Sequence, residues 1–225
     1  MPELKATIVQ VTQFQQNCLL LWDNEKKRGT VFDPGGDAER IFAAVTEAGF
    51  AVESIVLTHG HLDHAGGARP LQRLLAEAGQ QVAIIGPDRR DAFLLERIGE
   101  QARRYGIEGM ENCTPDRWLA EGDRIEAAGL TFDVLHCPGH TPGHLVFSAP
   151  AARLAIVGDV LFRRSIGRTD FPYGDHAALL RAIAEKLLPL GDEVSFLCGH
   201  GPGSTIGAER RANPFLAELR TAKAK

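Results

Sequence analysis

Thr58-His59-Gly60-His61-Leu62-Asp63-His64 is the densest run of metal-ligating residue types in the chain, and its setting decides how the rest is read. Ser54 to Leu57, just before it, is a short apolar run of strand character, and helix is expected from about 66 to 78. Alternate side chains of an extended segment share a face, so His59 and His61 point the same way and can grip one ion. If the chain then turns into a helix, Asp63 and His64 are redirected and can reach a second ion. Nitrogen and oxygen donors in this mixture suit zinc, iron(II) or manganese. A polar loop capping a helix would give the same string, so the rest of the chain has to separate the two readings.

Three further places do so. Cys137-Pro138-Gly139-His140-Thr141-Pro142-Gly143-His144 sets a histidine in a rigid Pro/Gly turn after a strand. Ile156-Val157-Gly158-Asp159 ends an apolar strand on a carboxylate, and Phe196-Leu197-Cys198-Gly199-His200-Gly201 ends another on a histidine. Each has the form of a strand delivering one ligand to a common edge, with glycine leaving space beside it. Working outward, strands are expected at 5–12, 17–22, 29–33, 54–57 and 82–85, then at 123–127, 130–136, 144–148, 153–158 and 194–197. Helices are expected at 37–48 with Asp37 as cap, and at 66–78, 88–104, 175–188 and 207–221. No fixed-period repeat and no Pro/Ser-rich linker divides residues 1–225, so a single domain is expected. Strands in both halves with helices interspersed fit an α+β fold of two packed sheets covered by helices.

Composition narrows the function classes. Hydrophobic residues make up 44% and charged residues 24% of the 225 residues, which excludes disorder. Lys and Arg number 25 against 29 Asp and Glu, a net charge of −4 that lacks the footprint of a nucleic-acid binder. No apolar run approaches the roughly 18 residues of a membrane span. Met1 to Val11 carries no charged leader followed by an apolar core, so a cytoplasmic location is expected. Cys18, Cys113, Cys137 and Cys198 form no C-x-x-C pair and read as reduced, buried small residues.

With these motifs in place, the chain resembles the metallo-β-lactamase superfamily, whose motifs match in order at Asp33, residues 59–64, His140, Asp159 and His200. Within it, the chain is similar to the short bacterial type II glyoxalases, the hydroxyacylglutathione hydrolases. That similarity includes Asp33-Pro34-Gly35-Gly36-Asp37 and Gly167-Arg168-Thr169-Asp170-Phe171-Pro172. The resemblance implies a four-layer αββα sandwich with a site for two divalent metal ions per chain, zinc ahead of iron or manganese. By position, His59, His61 and His140 would bind the first ion, Asp63, His64 and His200 the second, and Asp159 would bridge them. Asp33 reads either as the acceptor that fixes a ligand imidazole or as a turn-forming residue before Pro34. Two ions about 3.5–4 Å apart can share a water and lower its pKa toward about 7, with Asp63 orienting it or accepting its proton.

The implied reaction is hydrolysis of S-lactoylglutathione to D-lactate and glutathione, a step of methylglyoxal detoxification, and the implied partner is a small-molecule glutathione thioester. The longer enzymes carry a helical glutathione-binding domain after the last histidine. Only 25 residues follow His200 here, so that domain is expected to be missing. Arg168 stands where the longer enzymes place a glutathione-binding lysine. It is a candidate for a substrate carboxylate, an ion pair with Asp170 or Asp175 being the other reading. Arg210, Arg211 and Arg220 read as a solvated helix face, and Asn17 as a backbone anchor near the site edge. His144 is read as support for His140, and His136 and His176 as residues outside the ligand set. The oligomeric state is left open. A mononuclear iron persulfide dioxygenase of the same superfamily is the rival enzyme, resembling the chain from Gly167 to Phe171. Such enzymes tend to carry Ala-His-Asp where this chain has Gly199-His200-Gly201. A catalytically silent binding module would be expected to lose ligands, whereas all of the implied ligands are present.

Overall fold

The computed structural model describes residues 3–217 and 219. The first half builds β1 (Leu4–Val11), β2 (Gln16–Asp23), β3 (Arg28–Phe32), α1 (Ala38–Ala48), β4 (Ala51–Val56), α2 (Leu62–Ala65), α3 (Ala68–Glu77), β5 (Ala83–Ile85), α4 (Ala92–Leu95) and α5 (Ile98–Arg104). The second half builds β6 (Arg124–Ala127), β7 (Leu130–His136), β8 (Leu145–Ala149), β9 (Leu154–Gly158), β10 (Leu161–Phe162), β11 (Ser165–Ile166), α6 (His176–Ala182), β12 (Ser195–Cys198), β13 (Ser204–Thr205) and α7 (Ile206–Ala212). One sheet runs β1-β2-β3-β4-β5 and the other β13-β12-β9-β8-β7-β6, with β10 and β11 as a separate hairpin.

Alternation along the strands builds the layers. In β2, Leu19 and Leu21 face the second sheet, where they meet Phe132, Phe147 and Ile156, while Cys18, Leu20 and Trp22 face the helices. Phe32 bridges the sheets, its ring 6.0 Å from Phe132 and 5.8 Å from Phe147. On the outer face of the first sheet lie Ile41 and Val45 of α1, Leu71 and Leu75 of α3, and Ile98 of α5. On the outer face of the second, Val146, Val157 and Phe196 pack on Leu179, Ile183 and Leu187. The result is a four-layer αββα sandwich, with β9 apolar along its length and β2 apolar from Cys18 to Trp22.

Parallel pairing positions the site. β3, β4 and β5 are mutually parallel, as are β9 and β12, so their C-terminal ends share one edge of the sandwich. The loop between antiparallel β7 and β8 opens at the same edge. The two sheets are tied there by Asn17 N donating to Gly199 O at 2.8 Å and Leu145 N donating to Thr58 O at 2.8 Å.

Several expected elements differ. The helix expected at 88–104 is a 3₁₀ turn, Arg89–Asp91, followed by the separate α4 and α5. The expected 175–188 helix ends as α6 at Ala182, continues as a π-helical turn, Ile183–Leu187, and then a 3₁₀ turn at Leu188–Leu190. The helix expected at 207–221 begins as α7 but stops at Ala212, because Asn213 precedes Pro214 and is forced extended at φ −73°, ψ 122°. Part of that helix, including Arg220, lies outside the described residues. Asp37 occupies the expected cap position in a left-handed conformation, but its carboxylate accepts from Thr12 N at 2.8 Å rather than capping α1. Among the described residues no helix is long and apolar enough to cross a membrane.

Candidate metal centre

The run after β4 behaves as two pieces. His61 is extended at φ −66°, ψ 148°, and its carbonyl accepts the first amide bonds of α2 from His64 and Ala65. That turn sends His59 and His61 to one side and Asp63 and His64 to the other. Ring nitrogens of His59, His61 and His140 form one candidate cluster, and Asp63, His64 and His200 form another. Asp159 lies between them, with Oδ1 3.4 Å from His64 Nε2 and Oδ2 3.5 Å from His140 Nε2 and 3.6 Å from His200 Nε2. His200 Nε2 is 3.3 Å from Asp63 Oδ2. The seven side chains drawn from four separate stretches of sequence thus meet at one edge.

Their outer partners fix the tautomers. His140 Nδ1 lies 2.8 Å from the Arg168 carbonyl, which can only accept, so Nδ1 carries the proton and Nε2 is bare. Thr58 Oγ1 donates to Asp33 Oδ2 at 2.7 Å and therefore accepts from His59 Nδ1 at 3.0 Å, leaving His59 Nε2 bare. Both bare nitrogens aim at His61 Nδ1, at 2.9 Å from His140 and 3.1 Å from His59. His64 Nδ1 donates to Asp33 Oδ2 at 2.9 Å, which turns its bare Nε2 toward Asp159. His64 Nε2 and Asp159 Oδ1 are fully buried and neither has a hydrogen-bond partner. Lone pairs aimed at one another in a buried site repel unless a cation lies between them. The donor set therefore fits divalent metal.

The electrostatics point the same way at the first cluster and favour protons on the imidazoles of the second, which an ion would have to displace. Burial, and after it the neighbouring imidazoles, hold His59 well below the ordinary histidine range, and burial with His140 pushes His61 down to about 3. These rings are neutral, as metal ligation requires. Burial opposes charge on Asp159, but His64, His140 and His200 more than offset it and keep the carboxyl well below its usual range. Burial likewise opposes charge on Asp63, and the hydrogen bond from His200 together with His64 outweighs it. For His64 and His200 burial works against protonation, but Asp159, Asp63 and, at His64, Asp33 raise both.

Asp33 binds His64 and also Thr58 N at 2.7 Å, so it acts on an imidazole and on the motif backbone together. Asn17 Nδ2 donates to the carbonyls of Cys198 at 3.0 Å and Gly201 at 2.8 Å, anchoring the His200 loop. Arg168 forms a two-point pair with Asp170 at 2.7 and 2.8 Å and lies 4.5 Å above the Phe171 ring, on the exposed rim. His144 does not reach the centre. Its Nε2 accepts Asp159 N–H at 3.0 Å while its ring stacks on His59. His136 Nε2 instead meets the Pro142 carbonyl at 2.7 Å, and His176 begins α6 at the surface.

Two residues near the site escape sequence reading. Asp91 is fully buried and accepts from Gly60 N at 2.9 Å, Thr141 Oγ1 at 2.7 Å and Gly143 N at 2.6 Å, joining the two histidine loops. Nothing in Arg89-Arg90-Asp91 signals this. Tyr173 places its hydroxyl 2.8 Å from His61 Nε2, and the only hint in sequence is an aromatic residue close to Arg168. Both His61 and Tyr173 open onto a cleft of about 380 Å³, whose walls include Phe14, Leu62, Tyr105, Phe162 and Phe171 and whose floor includes Asp63, His140, Asp159 and His200.

Comparison with known proteins agrees with this construction. A sequence model of the metallo-beta-lactamase superfamily matches residues 11–200. The chain is 46% identical to hydroxyacylglutathione hydrolase GloC of Haemophilus influenzae, covering 95% of this chain and 98% of that protein. Among solved structures, the di-iron-bound form of TTHA1623 is 35% identical with a TM-score of 0.81, covering 93% of this chain and all (100%) of that one. The BLEG-1 B3 metallo-beta-lactamase is 32% identical with a TM-score of 0.84, covering 95% of this chain and 100% of its own.

Proposed function

Because the chain belongs to the metallo-beta-lactamase superfamily, we propose that it is a metal-dependent thioester hydrolase acting on hydroxyacylglutathione, with S-lactoylglutathione giving D-lactate and glutathione. The observation that carries the reading is the near full-length identity to a hydroxyacylglutathione hydrolase in a chain whose seven donors converge on one cleft. In this reading His59, His61 and His140 would hold one divalent ion and Asp63, His64 and His200 a second, with Asp159 placed to serve both. Zinc or iron suits the donors, manganese less so, since imidazoles outnumber carboxylates. When bound, such ions supply Lewis acidity and lower the pKa of water toward about 7.

The protein's own groups do the rest. Asp63 is kept ionised at the cleft floor and can orient the attacking water and accept its proton. Water's oxygen bonds to the acyl carbon, the C–S bond breaks, and the electron pair leaves on sulfur. A thiol of pKa about 8.5 departs readily as thiolate, whereas an amide nitrogen would need a proton donor. Arg168 at the rim can exchange Asp170 for a substrate carboxylate. Its present pairing makes it a weak anchor for an anionic carrier, because an exposed ion pair is worth at most about 1 kcal/mol and the incoming group must replace it.

The test is turnover of S-lactoylglutathione by the purified protein, followed by thiol release, with oxygen uptake on glutathione persulfide run beside it. Thiol release that is lost on chelation and restored by zinc or iron is the expected result. Oxygen uptake without thioester hydrolysis would contradict it and favour the dioxygenase.

A further inference from the structure

We propose that Glu209 and Asn213 are positioning residues for substrate binding. They act through Phe162, by locking the β10–β11 hairpin so that the Phe162 ring stands as a fixed wall of the cleft beside His200. The proposal rests on the thioester-hydrolase reading for its assay and on hydrogen bonds within the chain for its geometry.

The hairpin does not hold its own shape. It pairs at two positions only, Leu161 with Ile166 and Phe162 with Ser165, and a ribbon that short is not stable by itself. Its turn also carries Arg164 at φ +65°, a left-handed conformation that favours glycine. The last helix supplies what the hairpin lacks. Glu209, only 1% exposed, accepts from Arg164 N at 2.7 Å on Oε2 and from Ser204 Oγ at 2.6 Å on Oε1. Asn213 Nδ2 donates to the Ser165 carbonyl at 2.9 Å and to Glu209 Oε2 at 3.0 Å, with the Phe162 carbonyl at 3.3 Å. The Arg164 guanidinium reaches the Ala212 carbonyl at 2.7 Å. Both strands and the strained turn between them are thus pinned to one end of α7. Strain of this kind persists only where the surroundings over-determine it.

What is pinned is a side of the cleft. Phe162, Ser165 and Ile166 line it together with Asp159 and His200. The Phe162 ring meets the His200 imidazole edge-on, with centroids 6.3 Å apart. The first histidine cluster has its own aromatic wall in Phe171, 4.9 Å from His61 and 5.6 Å from His140. Phe162 is the corresponding wall at the second. An apolar wall contacts the bound substrate in ground and transition states alike, so loosening it weakens binding without slowing the chemical step.

The test compares Asn213→Ala, Phe162→Ala and the double variant with wild type, each as the metal-loaded full chain. KM and kcat for S-lactoylglutathione, metal per chain and melting temperature are measured together. Each single variant is expected to raise KM about tenfold, with kcat within about threefold and metal content unchanged. The double variant is expected to be no worse than Phe162→Ala alone, because Asn213 acts through that ring. Glu209→Gln, which turns an acceptor into a donor facing donors, gives the same rise in KM and serves if Asn213→Ala does not fold. An unchanged KM overturns the proposal. So do KM effects that multiply in the double variant, which would make the two residues independent, and so does a parallel loss of metal or kcat, which would make the network a general support of the fold. If the wild-type protein itself leaves the thioester intact, the hydrolase reading fails first and takes this proposal with it.

Discussion

Gly199 shows how closely single residues are fitted at this edge. A Cβ built there would lie 2.1 Å from Asp159 Oδ1 and 2.4 Å from His64 Cε1, so no side chain fits without moving a candidate ligand. Gly158 has a related duty: its φ of +47° turns the chain out of β9, and a Cβ would strike Thr58 Oγ1 and His144. Gly199→Ala is therefore expected to cost about 1–3 kcal/mol of stability through overpacking. It should also weaken metal binding by about 10–100-fold through displacement of Asp159 and His64. Thermal melting and metal analysis check both, and normal metal content with normal activity would refute the close fit. At this scale the sequence was informative where residues carry chemistry at strand ends, as with His59, His61, Asp159 and His200. It was silent on Tyr173, whose contact with His61 depends on where a loop folds back rather than on any spacing. It was also ambiguous on Arg168, because a basic residue followed two positions later by an acid can pair locally or wait for substrate.

Among the elements, the short irregular segment before α4 matters more than its sequence suggests. Asp91 accepts from the backbone between His59 and His61 and from Thr141 and Gly143, just after His140, and thus joins two loops from different sheets. Burial is the main cause that raises its carboxyl to about 6, against three hydrogen bonds that favour the charge. Asp91→Asn replaces one acceptor oxygen with a donor facing donors. The expected cost is about 1–3 kcal/mol, with metal affinity reduced about 10–100-fold. A pH dependence follows. The folded value lies above the unfolded one of 3.8, so the folded state binds the extra proton. The Asp91 contribution is then fully present below about pH 4 and is lost as pH rises through about 6, a change of about 3 kcal/mol. Urea unfolding of metal-stripped wild type and variant should show the wild type losing ground to the variant over that window, and a gap independent of pH would contradict it. Strands were legible because alternation and apolar runs are local properties. The long helices expected at 88–104 and 207–221 were not. The first runs from a 3₁₀ turn ending at Asp91, held by Gly143 N, into α4 and breaks between Leu95 and Ile98. The second stops at Asn213 before Pro214.

Over the whole molecule, the sandwich exists to bring four strand ends to one edge. Neither sheet holds a complete site: the first supplies residues 59–64 and Asp33, the second His140, Asp159 and His200. Asp159 lies within 3.6 Å of imidazoles from both clusters, and we propose that two ions share it. That is tested most directly by titrating metal-stripped protein with zinc, counting ions per chain in the wild type and in Asp159→Ala. About two ions per wild-type chain are expected, with loss of both tight binding events together with thioester hydrolysis in the variant. A single ion in the wild type, or full activity with one metal in the variant, would contradict it.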